Sequence, residues 1–385
     1  MSFKKTLAAV AVLGAFAGTA MAANVTLYGV IDEGLNYTYK DVKNLQGEKV
    51  VDGQSTLGLD SGIDAGSRWG IRGVEELNPD WKIGFKLESG FNVDDGTEQE
   101  DRLFRREASL SIINNTWGTL SAGRMGGVSS SAGTYDIVML YGDPFDGGAG
   151  DVWGLVHSAR YDNMLTYQTP KFYGLQATVQ YSFKTNDVTD TTGSEGHSSA
   201  NRYASFALTG DYGGFSFVGA YEFQDWKASS NLHDGHAYFL GAAYDCGFAK
   251  TFLMGQYFTG QKSGAGFDIT DDDELYTNLF TDSTGLKGWG MTLGTQFPVF
   301  AGTVTLAGYY VDASADNTVV QSEKFDRDVS YIGLAARYEY PLSKRTQIYT
   351  GLGWYQAKAD SQLDTETDDF KEQEGQFYLG MTHRF

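Results

Sequence analysis

Apolar side chains recur on every second residue in segments spread along the whole chain. The C-terminal stretch GQFYLGMTHRF places Phe377, Leu379 and Met381 on one face and Gln376 and Thr382 on the other. Because successive side chains of a β-strand point to opposite faces, this spacing predicts a strand with one apolar and one polar face. The stretches WKIGFKLESG, GLQATVQYSFK, KGWGMTLGTQF and VSYIGLAARYEY repeat the pattern. The chain is therefore expected to be all-β.

A soluble β-sandwich would show the same alternation, so the connecting segments have to decide the architecture. Tight connectors (NPD, NNTWG, TPKFYG, DYGG, DCG, PVFAG, PLSKR) alternate with long acidic ones such as DDGTEQED and DSQLDTETDDFKEQE. Short turns at one rim and long loops at the other are typical of a transmembrane β-barrel. We predict sixteen antiparallel strands near 24–38, 67–77, 81–93, 102–114, 118–125, 160–169, 174–184, 201–211, 215–226, 237–245, 248–259, 287–297, 302–312, 329–340, 346–357 and 375–385.

The composition favours one continuous barrel over several domains. Glycine (49), tyrosine (24) and phenylalanine (24) are abundant and proline is scarce (5), as suits long uninterrupted strands. No proline- or serine-rich linker divides the chain. We therefore expect a single barrel over residues 23–385, wide enough at sixteen strands to hold an aqueous lumen.

The N-terminal residues carry the three parts of a secretory signal. Lys4 and Lys5 precede a short apolar run, which ends before the cleavage-site pattern Ala20-Met21-Ala22. We predict a signal peptide over residues 1–22, because the apolar run is too short to span a bilayer as a helix. Its removal changes the net charge from −20 to −22 (27 basic minus 49 acidic residues). So acidic a chain is not expected to bind nucleic acid.

The residues that usually carry enzyme or metal chemistry are sparse. The lone Cys246 excludes a disulfide framework and a cysteine zinc cluster, and none of the five histidines lies in a hydrolase or metalloprotease motif. The acidic stretch DITDDDELY (268–276) lacks the spacing and the glycine of an EF-hand. Solvated acids are the favoured interpretation there, with divalent bridging to lipopolysaccharide as the alternative. We expect no enzyme activity, no cofactor and no metal site.

Six landmarks together point to a family: NVTLYGVIDEGLNY, SRWGIRGVEEL, GTLSAGRM, ARYDNMLTYQTPKFYGL, YPLSKRTQIY and YLGMTHRF. In this order the chain from Asn24 to Phe385 resembles the Gram-negative general porins of the β-proteobacterial type. The resemblance implies a homotrimer in the outer membrane, in contact with lipid and lipopolysaccharide. It also implies passive diffusion of ions and small hydrophilic solutes, and a C-terminal Phe385 that the barrel-assembly machinery reads.

The resemblance further implies that the third loop folds inward and narrows the pore. That loop corresponds to roughly residues 125–159, and its DPFDGG is similar to the P-E-F-G-G element of the porin loop tip. The acid follows the aromatic here rather than preceding it, so which acid faces the lumen stays open. The candidates for the acidic side of the constriction are Asp136, Asp143, Asp146 and Asp151.

The family places basic side chains on the wall opposite this loop. The candidates are Arg68, Arg72, Lys82, Lys86, Arg105 and Arg124. Alternation points the first five inward; Arg124 has the lipid-facing parity and is assigned to the pore by resemblance alone. Arg106 has the same outward parity and is expected near the rim. The basic side chains of the wall favour the passage of anions, whereas the acidic loops favour that of cations. On balance we expect a slight preference of the channel for cations.

Other interpretations stay open. The loop acids could be simply solvated, with the wall arginines paired to wall acids. A sugar- or organic-acid-selective channel would need inward aromatic side chains, of which Tyr331, Tyr349 and Tyr378 are candidates. Long external loops would also suit an adhesin or binding barrel.

Overall fold

The structure is a computed structural model. It describes residues 24–149, 152–185, 194–227, 231–270, 273, 275–276, 279–320 and 322–385. The predicted signal peptide, Asp151, and Asp271, Asp272 and Glu274 of the acidic stretch lie outside the described residues.

Antiparallel strands account for most of the described chain. The strands are β1 (Thr26–Lys43), β2 (Lys49–Ser61), β3 (Arg68–Glu76), β4 (Trp81–Gly90), β5 (Glu107–Asn114), β6 (Gly118–Gly126), β7 (Arg160–Gln168), β8 (Leu175–Ser182), β9 (Arg202–Tyr212), β10 (Phe215–Asp225), β11 (Gly235–Asp245), β12 (Lys250–Gln261), β13 (Ser263–Gly264), β14 (Phe267–Asp268), β15 (Gly285–Val299), β16 (Gly302–Val320), β17 (Glu323–Pro341), β18 (Thr346–Ala359) and β19 (Phe370–Arg384). A 3₁₀ turn (Gln99–Asp101) and one short helix, α1 (Val138–Gly142), complete them. No helix in the described ranges is long and apolar enough to cross a membrane.

The sheet closes on itself as a sixteen-stranded barrel, as predicted. β19 pairs with β1 along the register from Val30–Arg384 to Lys43–Lys371, and every other barrel strand pairs with its neighbours in sequence. β2 and β3 together occupy one strand position, because β1 pairs with β3 over Thr26–Val30 and with β2 over Glu33–Lys43. The hairpin β13–β14 forms a separate two-stranded sheet in a loop.

The strands β16 and β17 extend further than their sequence pattern predicted. They continue to Val320 and begin at Glu323, where a long loop was expected between residues 312 and 329. A buried ion pair supports the extension: Arg327 is fully buried and its Nη2 lies 2.6 Å from Glu366 Oε1. Its guanidinium also donates to the carbonyl oxygens of Leu279 and Asp360, so one side chain joins β17 to the segments before β15 and after β18.

The two faces of the wall have opposite character. Large apolar side chains on the outer face are exposed, for example Leu35, Leu253, Leu293, Leu352 and Leu379. Because neighbouring strands of a closed barrel pair their backbone groups with each other, such a surface can face lipid. The inner face carries polar side chains and, on part of the wall, aromatic ones that are fully buried. Burial inside the barrel requires something to fill the lumen.

Candidate functional site

The segment 127–159, here called the inward loop, fills part of the lumen. It connects β6 and β7, which are neighbours in the wall, yet it reaches the opposite side of the barrel. Gln256 of β12 bonds both backbone groups of Val156, at 2.8 and 3.0 Å. Gln296 of β15 donates to the Pro144 carbonyl oxygen at 2.9 Å, and Gln376 of β19 donates to that of Ala149. The loop therefore crosses the inside of the barrel.

Glycines allow the inward loop to lie close to the far wall. A Cβ atom on Gly294 of β15 would lie 2.4 Å from the Pro144 ring, and one on Gly154 would lie 2.2 Å from the Tyr331 ring. Contacts this short are excluded for real side chains. Tyr309 and Tyr331 are consequently each only 2% exposed. This half of the inner wall is a packed core rather than a water-lined surface.

Asp143 fastens the loop to that far wall. It is buried and accepts hydrogen bonds from Tyr309 Oη at 2.9 Å and from the amides of Gly147 and Gly148 at 2.7 and 3.1 Å. Burial raises the pKa of Asp143 to about 6. Although Asp143 was a candidate for the acidic side of the constriction, the structure turns it away from the basic wall.

Asp136 and Asp146 meet on the opposite face of the loop. The backbone amide of Ala132 donates a hydrogen bond to each of them, with a distance of 3.1 Å both to Asp136 Oδ2 and to Asp146 Oδ2. Asp146 adopts φ 53° and is followed by two glycines with positive φ, so the DPFDGG sequence makes the tight bend that brings the two acids together. Burial and the neighbouring Asp146 carboxylate raise the pKa of Asp136, and partial desolvation beside Asp136 raises that of Asp146. Two neighbouring carboxyl groups resist ionising together, so the pair is expected to carry less than two full negative charges near neutral pH.

A cavity of about 500 Å³ separates this face of the loop from the early strands. Its walls combine the loop tip, including Asp146, with basic side chains that converge from distant parts of the sequence. The arginines that line the cavity are Arg68, Arg106, Arg160, Arg337 and Arg384.

Three of these arginines, Arg68, Arg160 and Arg384, have no carboxylate of the described residues within salt-bridge distance. Arg68 Nη1 donates to the Gly66 carbonyl oxygen at 2.9 Å, and Arg160 Nη2 donates to that of Ser131 at 2.9 Å. Arg106, in contrast, is paired with Glu88 at 2.8 Å and also donates to the Ala132 carbonyl oxygen.

Arg106 does not lie at the rim, in contrast to the prediction. It is only 6% exposed and lies inside the barrel, because β5 begins one residue later, at Glu107. The alternation of faces holds only within a strand, so a parity extrapolated before Glu107 has no physical basis. Arg160 was missed altogether; it is the first residue of β7, directly after the inward loop, and that position was its only sequence signal.

Arg124 turns inward although its parity predicted the lipid face. The register of β6 against β7 shifts between Gly123 and Met125, where β7 carries one extra residue. Gly123, directly before Arg124, has a φ of 135°, a conformation that breaks the regular alternation at this point. Arg124 Nη1 lies 2.7 Å from Asp162 Oδ1. With Arg105, which is paired with Glu100 at 2.7 Å, it lines a second cavity of about 370 Å³ beside Arg160.

The remaining basic candidates lie apart from the arginine-lined cavity. Lys86 bonds Thr134 Oγ1 of the loop at 3.0 Å and Glu107 at 2.9 Å. Arg72 stacks over the Tyr28 ring at 5.0 Å, and Lys82 pairs with Glu76 at 2.7 Å beside the short β3–β4 turn. The structure thus brings Arg68 to the cavity and leaves Arg72 and Lys82 toward the turn side of the barrel.

The inward aromatic side chains are covered. Tyr349 and Tyr378 are each 1% exposed, and their rings meet edge to face at 5.9 Å. Tyr349 donates to the buried carboxylate of Asp32 at 2.9 Å. They offer no continuous aromatic surface to a solute. Among the described residues no group of His, Cys, Asp and Glu side chains is arranged to hold a metal ion.

Comparisons with known proteins agree with this architecture. The family model described as Gram-negative porin matches residues 8–360. An outer membrane porin protein of Bordetella pertussis is 32% identical, over 90% of this chain and 92% of its own length. The solved anion-selective porin from Comamonas acidovorans superposes with a TM-score of 0.63 at 24% identity, covering 94% of this chain and all of its own. A trimer form of OmpT from Vibrio cholerae superposes with a TM-score of 0.57 at 15% identity, and the match covers 94% of this chain and all of the OmpT chain.

The chain belongs to the Gram-negative porin family. It is a β-barrel of the outer membrane, and like its relatives a channel protein rather than an enzyme.

Proposed function

We propose that the protein is a general diffusion channel for ions and small hydrophilic solutes, constricted between the inward loop and the arginine wall. The observation that carries this proposal is the cavity of about 500 Å³ between the loop tip and Arg68, Arg106 and Arg160. Charged side chains around a narrow passage are the usual filter of such pores. Tyr349 and Tyr378 are buried, so they offer no aromatic surface for a sugar, and this favours a general channel over a sugar-selective one.

The constriction prefers anions in this proposal, contrary to the slight cation preference expected from the acidic loops. Arg68, Arg160 and Arg384 have no carboxylate within salt-bridge distance among the described residues, whereas the raised pKa values of Asp136 and Asp146 reduce the negative charge of that pair. Charges beyond about 8–10 Å are largely screened at physiological salt, so the outer acids act weakly on the narrowest part. The Comamonas acidovorans porin, which shares the fold, is itself anion-selective.

The working assembly is a homotrimer in this proposal. β2 pairs only with β1, so its other edge has no strand partner among the described residues. Leu57 and Leu59 on β2 are 69% and 58% exposed and lie in register with Tyr37 and Leu35 of the apolar outer face. An open strand edge cannot face lipid at this depth, because its backbone groups would be unpaired. A second copy of the chain is the partner that the family offers.

Three further parts of the proposal concern export and assembly. Residues 1–22 act as a cleaved signal peptide. Phe385 serves as the assembly signal; its amide and carbonyl groups pair with Gly29 at 3.1 Å, beside the seam of the barrel. Outer-membrane lipid and lipopolysaccharide surround the apolar outer face of the barrel.

Single-channel recording of the purified mature protein in a planar bilayer under a KCl gradient tests the function. We expect current steps in groups of three and a reversal potential of the sign that marks anion preference. A reversal potential of the opposite sign would contradict the proposed selectivity. A folded, heat-resistant barrel that gives no steps would contradict the channel itself and favour the adhesin alternative.

A further inference from the structure

We propose that Asp64 determines the selectivity of this channel by cancelling the charge of Arg337 beside the arginine-lined cavity. The inference rests on the proposed function. It concerns residues 62–67, here called the inner bend, where the chain leaves the wall between β2 and β3. The bend lines the same cavity as the tip of the inward loop.

Asp64 holds Arg337 directly. Asp64 Oδ1 lies 2.5 Å from Arg337 Nη1, and the two side chains are 5% and 9% exposed. The other oxygen, Oδ2, accepts from Gln347 Nε2 at 2.9 Å and from Thr382 Oγ1 at 3.0 Å. These donors come from β18 and β19, so the carboxylate is fixed by groups that do not depend on the inward loop.

Arg337 connects the inner bend with the inward loop. Its guanidinium lies over the ring of Phe145 at 5.0 Å, and Phe145 belongs to the loop tip. Its second acidic partner, Glu339, is more distant, at 3.4 Å from Nη2. Asp64 is therefore the closest counter-charge of an arginine that lines the passage.

The charges of the cavity lining show why this pair matters. Five arginines face three carboxylates there, those of Asp64, Asp146 and Glu339. Without Asp64 the lining would keep two carboxylates, and Arg337 would retain only the more distant Glu339 as a counter-charge, so more of its positive charge would act on passing anions. One unit charge at about 8 Å in screened water changes the local concentration of a monovalent ion by roughly 1.5- to 2-fold, in opposite directions for anions and cations.

The test is the reversal potential of four variants of the full mature chain in a KCl gradient: Asp64→Asn, Arg337→Gln, the double variant, and Glu76→Gln as a matched control. Glu76 pairs with Lys82 near a turn and lies outside the cavity lining. We expect Asp64→Asn to raise the chloride-to-potassium permeability ratio about two- to fourfold and Arg337→Gln to lower it by a similar factor. The double variant and Glu76→Gln are expected to stay close to the wild-type ratio.

A purely structural role of Asp64 predicts a different result. Loss of packing at the bend would change conductance or channel lifetime without opposite shifts for the two single variants, and this would overturn the inference. If Asp64→Asn fails to form barrels, Arg337→Gln decides alone, and an unchanged ratio rejects the inference. A wild-type protein without current steps would reject the proposed function, whereas a conducting wild type with unchanged ratios in both variants rejects only the role of Asp64.

Discussion

The inner wall of the barrel has two halves that obey the same alternation and end in opposite states. On β3 to β7 the inward side chains are mostly charged or small and polar, and two of them, Arg68 and Arg160, line a cavity without a carboxylate of the described residues at salt-bridge distance. On β12 to β19 the inward side chains include Tyr309, Tyr331 and Tyr378, and they are buried. The difference shows that the inward loop, and not the strands, decides which part of the wall reaches water.

The largest expected effect comes from releasing the loop from the buried half. The Asp143 carboxylate accepts three hydrogen bonds, from Tyr309 Oη and from the amides of Gly147 and Gly148. In Asp143→Asn one carboxylate oxygen becomes an NH₂ group, which would point a donor at one of these donors. We expect the free energy of unfolding to fall by about 2–3 kcal/mol, measured by urea denaturation of the barrel in detergent. Asp80→Asn, in an exposed turn, serves as the control and should change the free energy of unfolding by less than about 0.5 kcal/mol. Equal stability of the two variants would mean that Asp143 does not anchor the loop.

The second effect concerns ions in the open half. Arg160→Gln removes a charge without an acidic partner among the described residues, so the chloride-to-potassium permeability ratio should fall about two- to fourfold. Reversal potentials in a KCl gradient measure this chloride-to-potassium permeability ratio. The control is Arg345→Gln in the short turn between β17 and β18, which should leave the permeability ratio unchanged. Arg327→Gln would not serve as a control, because Arg327 holds loop segments together. A ratio unaffected by Arg160→Gln would place the filter elsewhere.

A smaller effect concerns pH and the pair of acids on the loop. Because the pKa values of Asp136 and Asp146 are both raised, the pair carries less than two negative charges at pH 7 and approaches two as the pH rises. Raising the pH from 7 to 10 should therefore lower anion preference by up to about twofold. Asp136→Asn should remove most of this dependence, and any part that remains would report titration of other groups. A wild-type ratio that is constant between pH 7 and 10 would contradict the raised pKa values of this pair.

The smallest effect is expected from the covered aromatics. Tyr378→Phe removes a hydroxyl that has no hydrogen-bond partner among the described residues and lies in a buried side chain. Conductance and current block by oligosaccharides should both stay at the wild-type level. A loss of oligosaccharide block in this variant would support the sugar-selective alternative, because it would show that solutes reach the ring.

Much of the fold could be predicted because its signal is local. Sixteen barrel strands and the short turns between them follow from the alternation, and the sheet confirms that number, as in the last strand ending beside Phe385. The strand β2 (Lys49–Ser61) was not predicted, and β5 begins at Glu107 rather than at 102. The prediction was wrong where the local signal stopped. Arg106 precedes its strand, Arg124 follows a register shift, and β16 and β17 are prolonged by a buried ion pair from other loops.

The sequence by itself determined the class of the protein, the barrel and the polar lining of its lumen, because a two-residue period and alternating connector lengths are properties of neighbouring residues. Only the tertiary structure decided which charged groups meet. Arg68 and Arg160 converge on one cavity although 92 positions (160 − 68) separate them in the chain. Asp143 and Asp146, in contrast, are close neighbours in sequence and point to opposite halves of the lumen. The physical reason is that the loop is shaped by contacts with the far wall, which no local pattern encodes.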